Sequence, residues 1–223
     1  MERIPTARPS WTDEMREAAV STLDSRHWVK GPKGREFGEK FAKHCGALSA
    51  APCQNGSSSL WAALRLVGIG EGDEVIVPSF TFIASATAIP LVGATPVFVD
   101  IEEDYWCLDV DAVERAITPR TKAVIGVHIF GQPYDPRLIE LCKSKDIALI
   151  EDAAQAHGAT QISVSGDKTI SPVPTKTISG SRSKIIEKLS IVRDSILVIS
   201  QVCIFLLDIM IFFLKILSPM KII

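Results

Sequence analysis

Residues 148–159 read ALIEDAAQAHGA, and the fold turns on this stretch. An apolar run from Ile147 to Ile150 ends abruptly in two carboxylates, Glu151 and Asp152. Small residues, Gln155 and His157 follow. A short, unbroken apolar run of this kind is the form of a buried parallel strand. Open α/β sheets bind ligands in a crevice at the carboxyl ends of such strands, where this one presents its polar groups.

Working backwards, the same unit recurs. Apolar runs at 74–77, 95–100 and 122–128 read as strands, the first closed by Pro78. Between them, 81–89, 110–117 and 136–145 carry helical patterns, and Asp109 or Asp111 can cap the second. Strand–helix alternation with unbroken apolar strands predicts an α/β fold, a parallel-rich central sheet with helices on both faces.

Upstream, residues 50–68 read APCQNGSSSLWAALRLVG plus a leading alanine. A helix pattern begins at Leu60 and is preceded by Gly56, Ser57, Ser58 and Ser59. Free backbone N–H groups, hydroxyls and the helix dipole suit a phosphate there. An ordinary serine N-cap accounts for the same residues. GIGEG at 68–72 follows a helix rather than a strand, so it reads as a helix end and turn, not a dinucleotide loop.

Residues 1–46 read as surface helices. One spans 13–23, capped by Thr12 or Ser10; another spans 34–45, with Phe37, Phe41 and Cys45 on one face. The formal net charge is −2, and no basic stripe argues for nucleic acid. Five scattered cysteines without a C-x-x-C pair argue against a zinc site or a disulfide framework. The first residues, MERIPTARPSW, show no apolar secretion signal, so the cytoplasm is the expected compartment.

Composition changes sharply near residue 160. Residues 1–160 contain 21 alanines and residues 161–223 contain none, which is unusual within one evolved domain. Residues 161–180 read as polar loop, and 182–188 is basic. The 23 residues at 195–217 are long enough to span a bilayer, behind a positive flank. Asp208 near the middle opposes insertion by about 2.5–3.5 kcal/mol. A membrane segment, a frameshifted tail and a buried core helix are the three readings, and a membrane segment implies membrane association.

Three blocks together carry a resemblance: NGSSSLWAALRLVGIGEGDEVIVPSFTFIASATAI, GATPVFVDIEEDYWCLDVDAVERAITPRTKAVIGVHIFGQPYD and IALIEDAAQAHGA. In this order and spacing they resemble the DegT/StrS family of sugar aminotransferases, from about Ile4 to Thr160. The resemblance implies the aspartate-aminotransferase fold and pyridoxal 5′-phosphate as cofactor. It implies Asp152 as the partner of the protonated ring nitrogen and Gln155 as donor to the phenolic oxygen. It implies Phe82 as the aromatic stacked on the ring, and Ser57 and Ser58, with Gly56 at the helix start, as phosphate contacts. Without it, Asp152 reads as a strand-end cap, Phe82 as core and His157 as a buried polar group. Glu151, His128 and His157 are expected near the site without an assigned role.

The family's lysine follows a short hairpin and a GD–CFSF–PTK pattern. Here Gly166-Asp167, Ser171 and Pro174-Thr175-Lys176 fall into register if one residue is missing after Asp167. This makes Lys176 the candidate Schiff-base lysine and Ser171 a phosphate ligand. Ile170 and Pro172 replace the aromatic pair, and two prolines disfavour an interior strand. Beyond Gly180 nothing resembles the family, so the expected organisation is a partial transferase large domain at 1–180 and an unrelated tail at 181–223. The C-terminal small domain of the family is not recognisable.

The activity implied is transfer of an amino group from an amino acid, usually glutamate, to a nucleotide-linked keto-sugar. The family is homodimeric. Two alternatives stand beside this: a truncated, non-catalytic remnant, and a sugar dehydratase of the same family in which the lysine is replaced.

Overall fold

The computed structural model describes residues 9–45, 47, 49–162 and 168–170, with backbone only for 161, 162 and 168–170. Lys176, Ser171 and the whole of 181–223 lie outside the described residues, as do the three readings of the tail. Among the described residues, no helix is long and apolar enough to cross a membrane.

Four strands form a parallel sheet: β1 (Glu74–Pro78), β2 (Thr95–Val99), β3 (Thr121–Val127) and β4 (Ala148–Asp152). Their order across the sheet is β2-β1-β3-β4. Every residue of β1 is buried, and β3 is buried throughout except for half-buried Lys122. This follows from the unbroken apolar runs: a central parallel strand is covered on both faces. β2 departs from that expectation. It is an edge strand, and Phe98 is exposed on it. Each fully buried Val, Leu or Ile in this core contributes roughly 1.5–3 kcal/mol.

Helices α3 (Gly56–Leu66) and α4 (Ile83–Thr87) pack together over one part of the sheet. Helices α5 (Val110–Ala116) and α6 (Arg137–Ser144) pack together against β2 and β4. Asp109 caps α5 by accepting from the amides of Asp111 and Ala112. The helix expected over 81–89 is shorter. It ends near Thr87, and Pro90, which lacks an N–H, opens a separate 3-10 turn at Pro90–Val92.

Residues 68–72 close α3 as the glycine pattern predicts. Gly68 adopts φ 82°, and its amide bonds the carbonyl of Arg65 while that of Ile69 bonds Leu64. The paired bonds of a left-handed glycine are a Schellman stop. N-terminal helices α1 (Asp13–Ser25) and α2 (Pro32–Cys45) lie on the surface, with Thr12 capping α1. α2 begins two residues earlier than the periodicity predicts, because Pro32 suits a first helical position. Its buried positions are Gly38, Ala42 and Cys45, while the half-buried rings of Phe37 and Phe41 meet at a tilt, 5.5 Å apart.

The polar stretch after 160 is not loop throughout. β5 (Thr160–Ile162) and β6 (Lys168–Ile170) pair antiparallel, with Gln161 opposite Thr169. Alternating β-branched Thr and Ile favour that pairing in segments too short to show periodicity.

Candidate functional site

Strand order makes the crevice. From β1 the chain goes to β2 on one side, then to β3 and β4 on the other. The connections therefore leave the carboxyl ends of β1 and β3 in opposite directions, and a gap opens between them. A cleft of about 390 Å³ lies there, lined from the N-terminus of α3, the segments after β1 and β3, and the end of β4.

At one end of the cleft sits the start of α3. The cap is Asn55, whose side chain accepts from the Ser58 amide at 2.8 Å. This corrects the expectation of a serine cap: an Asn one residue before the glycine reaches the third helical amide. It also separates the serines. Gly56 and Ser57 line the cleft, whereas Ser58 does not, and its amide is already engaged. The first amides of a helix have no intrahelical acceptor, so those of Gly56 and Ser57 are available to an anion.

Asp152 lies at the opposite wall, 8% exposed. Its Oδ2 accepts from the Ser85 hydroxyl at 2.8 Å, and its Oδ1 from the Ala154 amide at 3.3 Å. Ser85, fully buried on α4, shares a further hydrogen bond with the Thr81 hydroxyl at 3.1 Å. The Ala154 contact is the strand-end turn that the bland reading expects. The Ser85 contact joins residues 67 apart in sequence and belongs to the cleft. The ion pairs among the described residues engage other carboxylates, so Asp152 is buried with neutral donors alone. Sequence reading missed Ser85. Its only signal is a hydroxyl among alanines on a short helix.

Phe82 lines the cleft and is 65% exposed, so it is not a core residue. Its ring is a free apolar face just past the end of β1. Gln155 also lines the cleft. Its Oε1 accepts from the Phe130 amide at 2.7 Å, which leaves its NH₂ group as the available end. An amide that donates is what a phenolate oxygen needs.

The remaining expected residues divide. Side chains alternate along a strand, so Glu151 and Asp152 point to opposite faces. Glu151 and Tyr134 lie behind the sheet; His128 also lines the cleft, with its ring turned back onto Tyr134, and all three are nearly dry. His157 is exposed rather than buried, edge-on to Phe41 at 5.6 Å. Beside the cleft, Phe80, Trp106 and Phe130 form an exposed trio with ring centroids 5.5–6.3 Å apart.

An anion seat, an apolar face, a donor amide and a buried carboxylate thus surround one cleft. They fit a phosphorylated, protonated aromatic ring such as pyridoxal phosphate. Fold and cleft together define an open α/β domain with its ligand site at the switch point of a parallel sheet. Residues 9–178 match the DegT/DnrJ/EryC1/StrS aminotransferase family, and the chain belongs to it.

The chain is 43% identical over 162 residues to GDP-perosamine synthase of Escherichia coli O157:H7, covering 71% of this chain and 44% of that protein. It is 48% identical over 145 residues to the dTDP-3-amino-3,4,6-trideoxy-alpha-D-glucose transaminase of Streptomyces venezuelae, covering 64% and 38%. The solved structure of S. venezuelae DesV, in complex with ketimine intermediate, superposes with a TM-score of 0.63 at 46% identity. It covers 65% of this chain and 39% of DesV. The chain therefore spans about two fifths of the length of these relatives.

Proposed function

We propose that this chain carries the cofactor half of a sugar aminotransferase active site, taking an amino group from an amino acid, glutamate first among candidates, to a nucleotide-linked keto-sugar. The single observation that carries the reading is Asp152, a buried carboxylate bonded by Ser85 and Ala154 but by no cation among the described residues. Such a group is stable when a cation completes it, and a protonated pyridine nitrogen is one.

When bound, pyridoxal phosphate supplies an electron sink for bond changes at the amino-bearing carbon. The chain's own residues do the rest. The amides of Gly56 and Ser57 hold the phosphate, with Ser58 acting through the cap. Phe82 covers the ring, Gln155 donates to its phenolic oxygen, and Asp152 keeps a proton on its nitrogen. Lys176 anchors the cofactor covalently and moves the substrate proton, and Ser171 adds to the phosphate seat. These last two roles rest on the motif register, and the family match, which runs to residue 178, includes both positions. The names of the relatives, which include a GDP-sugar and a dTDP-sugar, support a nucleotide-linked substrate. We assign residues 1–180 to this domain in a cytoplasmic setting, without the family's dimeric arrangement for this chain; the tail at 181–223 is a separate segment.

The change in composition after residue 160 favours a second reading, a chain that binds no cofactor. One experiment separates the two. Pyridoxal phosphate is titrated into the purified chain and the absorbance of the lysine-bound form is followed. Its appearance, and its loss in Lys176→Ala with binding retained, supports the aminotransferase reading. A band that survives in Lys176→Ala moves the anchor to another lysine. Absence of binding by the unaltered chain refutes the cofactor reading. Binding without a lysine-bound band points to the dehydratase alternative.

A further inference from the structure

Behind the sheet, directly beneath the cleft, three polar side chains are sealed from water: His128, Tyr134 and Glu151, at 0%, 1% and 5% exposure. Their geometry is specific. The Tyr134 hydroxyl donates to Glu151 Oε1 at 2.7 Å. The His128 ring stacks on that of Tyr134 at 4.4 Å and 15°. His128 Nδ1 accepts from the Tyr134 amide at 3.4 Å, which places the imidazole proton on Nε2, 3.4 Å from the same Glu151 oxygen. Glu151 Oε2 and His128 Nε2 have no hydrogen-bond partner among the described residues. Room for the phenol ring comes from Gly126, opposite Glu151 in register, where a Cβ would meet Tyr134 Cε1 at 2.6 Å.

Stability alone explains this cluster poorly. Well-packed apolar side chains in its place are commonly neutral or stabilising. Its position supplies the explanation. His128 and Tyr134 are the two feet of the loop that follows β3; their stacked rings and the Tyr134 amide join them, and Glu151 anchors the Tyr134 hydroxyl. At the tip of that loop Phe130 sits at φ 52°, a left-handed conformation that a bulky residue rarely adopts. Its ring rests on Phe80 and Trp106, and its amide reaches the cleft by donating to Gln155 Oε1. An amide N–H must meet the oxygen of the Gln155 side chain, so the loop decides which end of that side chain faces the cleft.

We propose that His128, Glu151 and Tyr134 are positioning residues: by closing the loop after β3 from the back of the sheet, they hold Phe130 against Gln155 and so turn the Gln155 NH₂ group toward the cofactor. The part of this that concerns the cofactor rests on the functional reading above; the part that concerns the loop does not.

The test uses the full chain and two measurements. Amide exchange at Phe130 is followed without ligand in Tyr134→Phe, Glu151→Gln, Gln155→Ala and the core control Leu138→Ala, chosen because Leu138 is buried on α6 away from the loop tip. Losing one hydrogen bond's worth of restraint raises exchange about fivefold or more in the first three variants. Leu138→Ala lowers the melting temperature without that local effect. The pH midpoint of the bound pyridoxal phosphate absorbance then rises in Tyr134→Phe and Glu151→Gln, because a misplaced donor stabilises the phenolate less. Unchanged exchange at Phe130 in both network variants, or a rise equal to that of Leu138→Ala, overturns the proposal. So does an unmoved midpoint beside increased exchange, for the cofactor-facing part. Failure of the unaltered chain to bind the cofactor refutes the functional reading, while exchange still decides the loop.

Discussion

Two buried carboxyl groups stand at opposite ends of the same sheet. Glu74 opens β1, and Asp152 closes β4. Both are under 9% exposed. Glu74 is fully matched: Thr118 donates to one oxygen and the Arg120 guanidinium to the other, and burial works against this only in part. Asp152 receives a serine hydroxyl and a backbone amide, both neutral. The difference teaches which end can take a cation, the end to which the proposed function assigns the cofactor. A completed ion pair at a strand's beginning closes the structure there. A carboxylate that meets only neutral donors among the described residues, at the end where parallel strands present their ligands, is where the proposed cation would bind.

The sharpest way to break this comparison is to neutralise each group. Asp152→Asn should weaken pyridoxal phosphate binding by about tenfold to a hundredfold, the loss of a charge-assisted hydrogen bond worth about 1.5–3 kcal/mol. Its melting temperature should change little. If Asp152→Asn instead lowers thermal stability and leaves cofactor titration alone, the two ends are alike and Asp152 is structural.

The next effect tests whether the crevice end is open only on its front. Gly126→Ala would set a methyl group against the Tyr134 ring, at a cost of about 1–3 kcal/mol from overpacking. Denaturant midpoints measure it, and tolerance of the alanine would show that the back of the sheet is not close-packed.

Ser85→Ala refines the account of Asp152. It removes one neutral donor, and cofactor affinity should fall about fivefold, the worth of one hydrogen bond. An unchanged affinity would place the Asp152 orientation in the Ala154 turn alone.

The smallest effect concerns the closed end. The Thr118 hydroxyl and then the Arg120 guanidinium hold the Glu74 carboxyl below the usual carboxylate range. A group with a lowered folded pKa stabilises the fold above its unfolded pKa, and that contribution disappears as pH falls through the folded value. Arg120→Ala should therefore lie furthest below the unaltered chain at neutral pH, with the gap closing under about pH 4. Thermal melts across that range measure it. A gap that widens in acid would reverse the assignment.

Much of the architecture was legible from local pattern. Buried strands at 74–77 and 122–128 announce themselves as unbroken apolar runs, and Asp109 and Gly68 act as the cap and stop that their chemistry predicts. Less visible were features whose cause is distant in sequence. The edge position of β2 leaves Phe98 exposed, although its run reads like a central strand. β5 and β6 are three residues each, too short for a period to show.

The site divides in the same way. Sequence by itself determined that Glu151 and Asp152 end a buried strand, and it expected both near the site. It also placed glycine and serine at a helix start, where free amides follow from helix geometry. Only the tertiary structure decided which carboxylate meets the cleft, since that depends on strand order and on α3 and α4 covering one face. It alone brought Ser85 to Asp152 and the Phe130 amide to Gln155, 67 and 25 residues apart. Periodicity and capping act within a few residues; contacts across such distances exist only once the sheet has assembled.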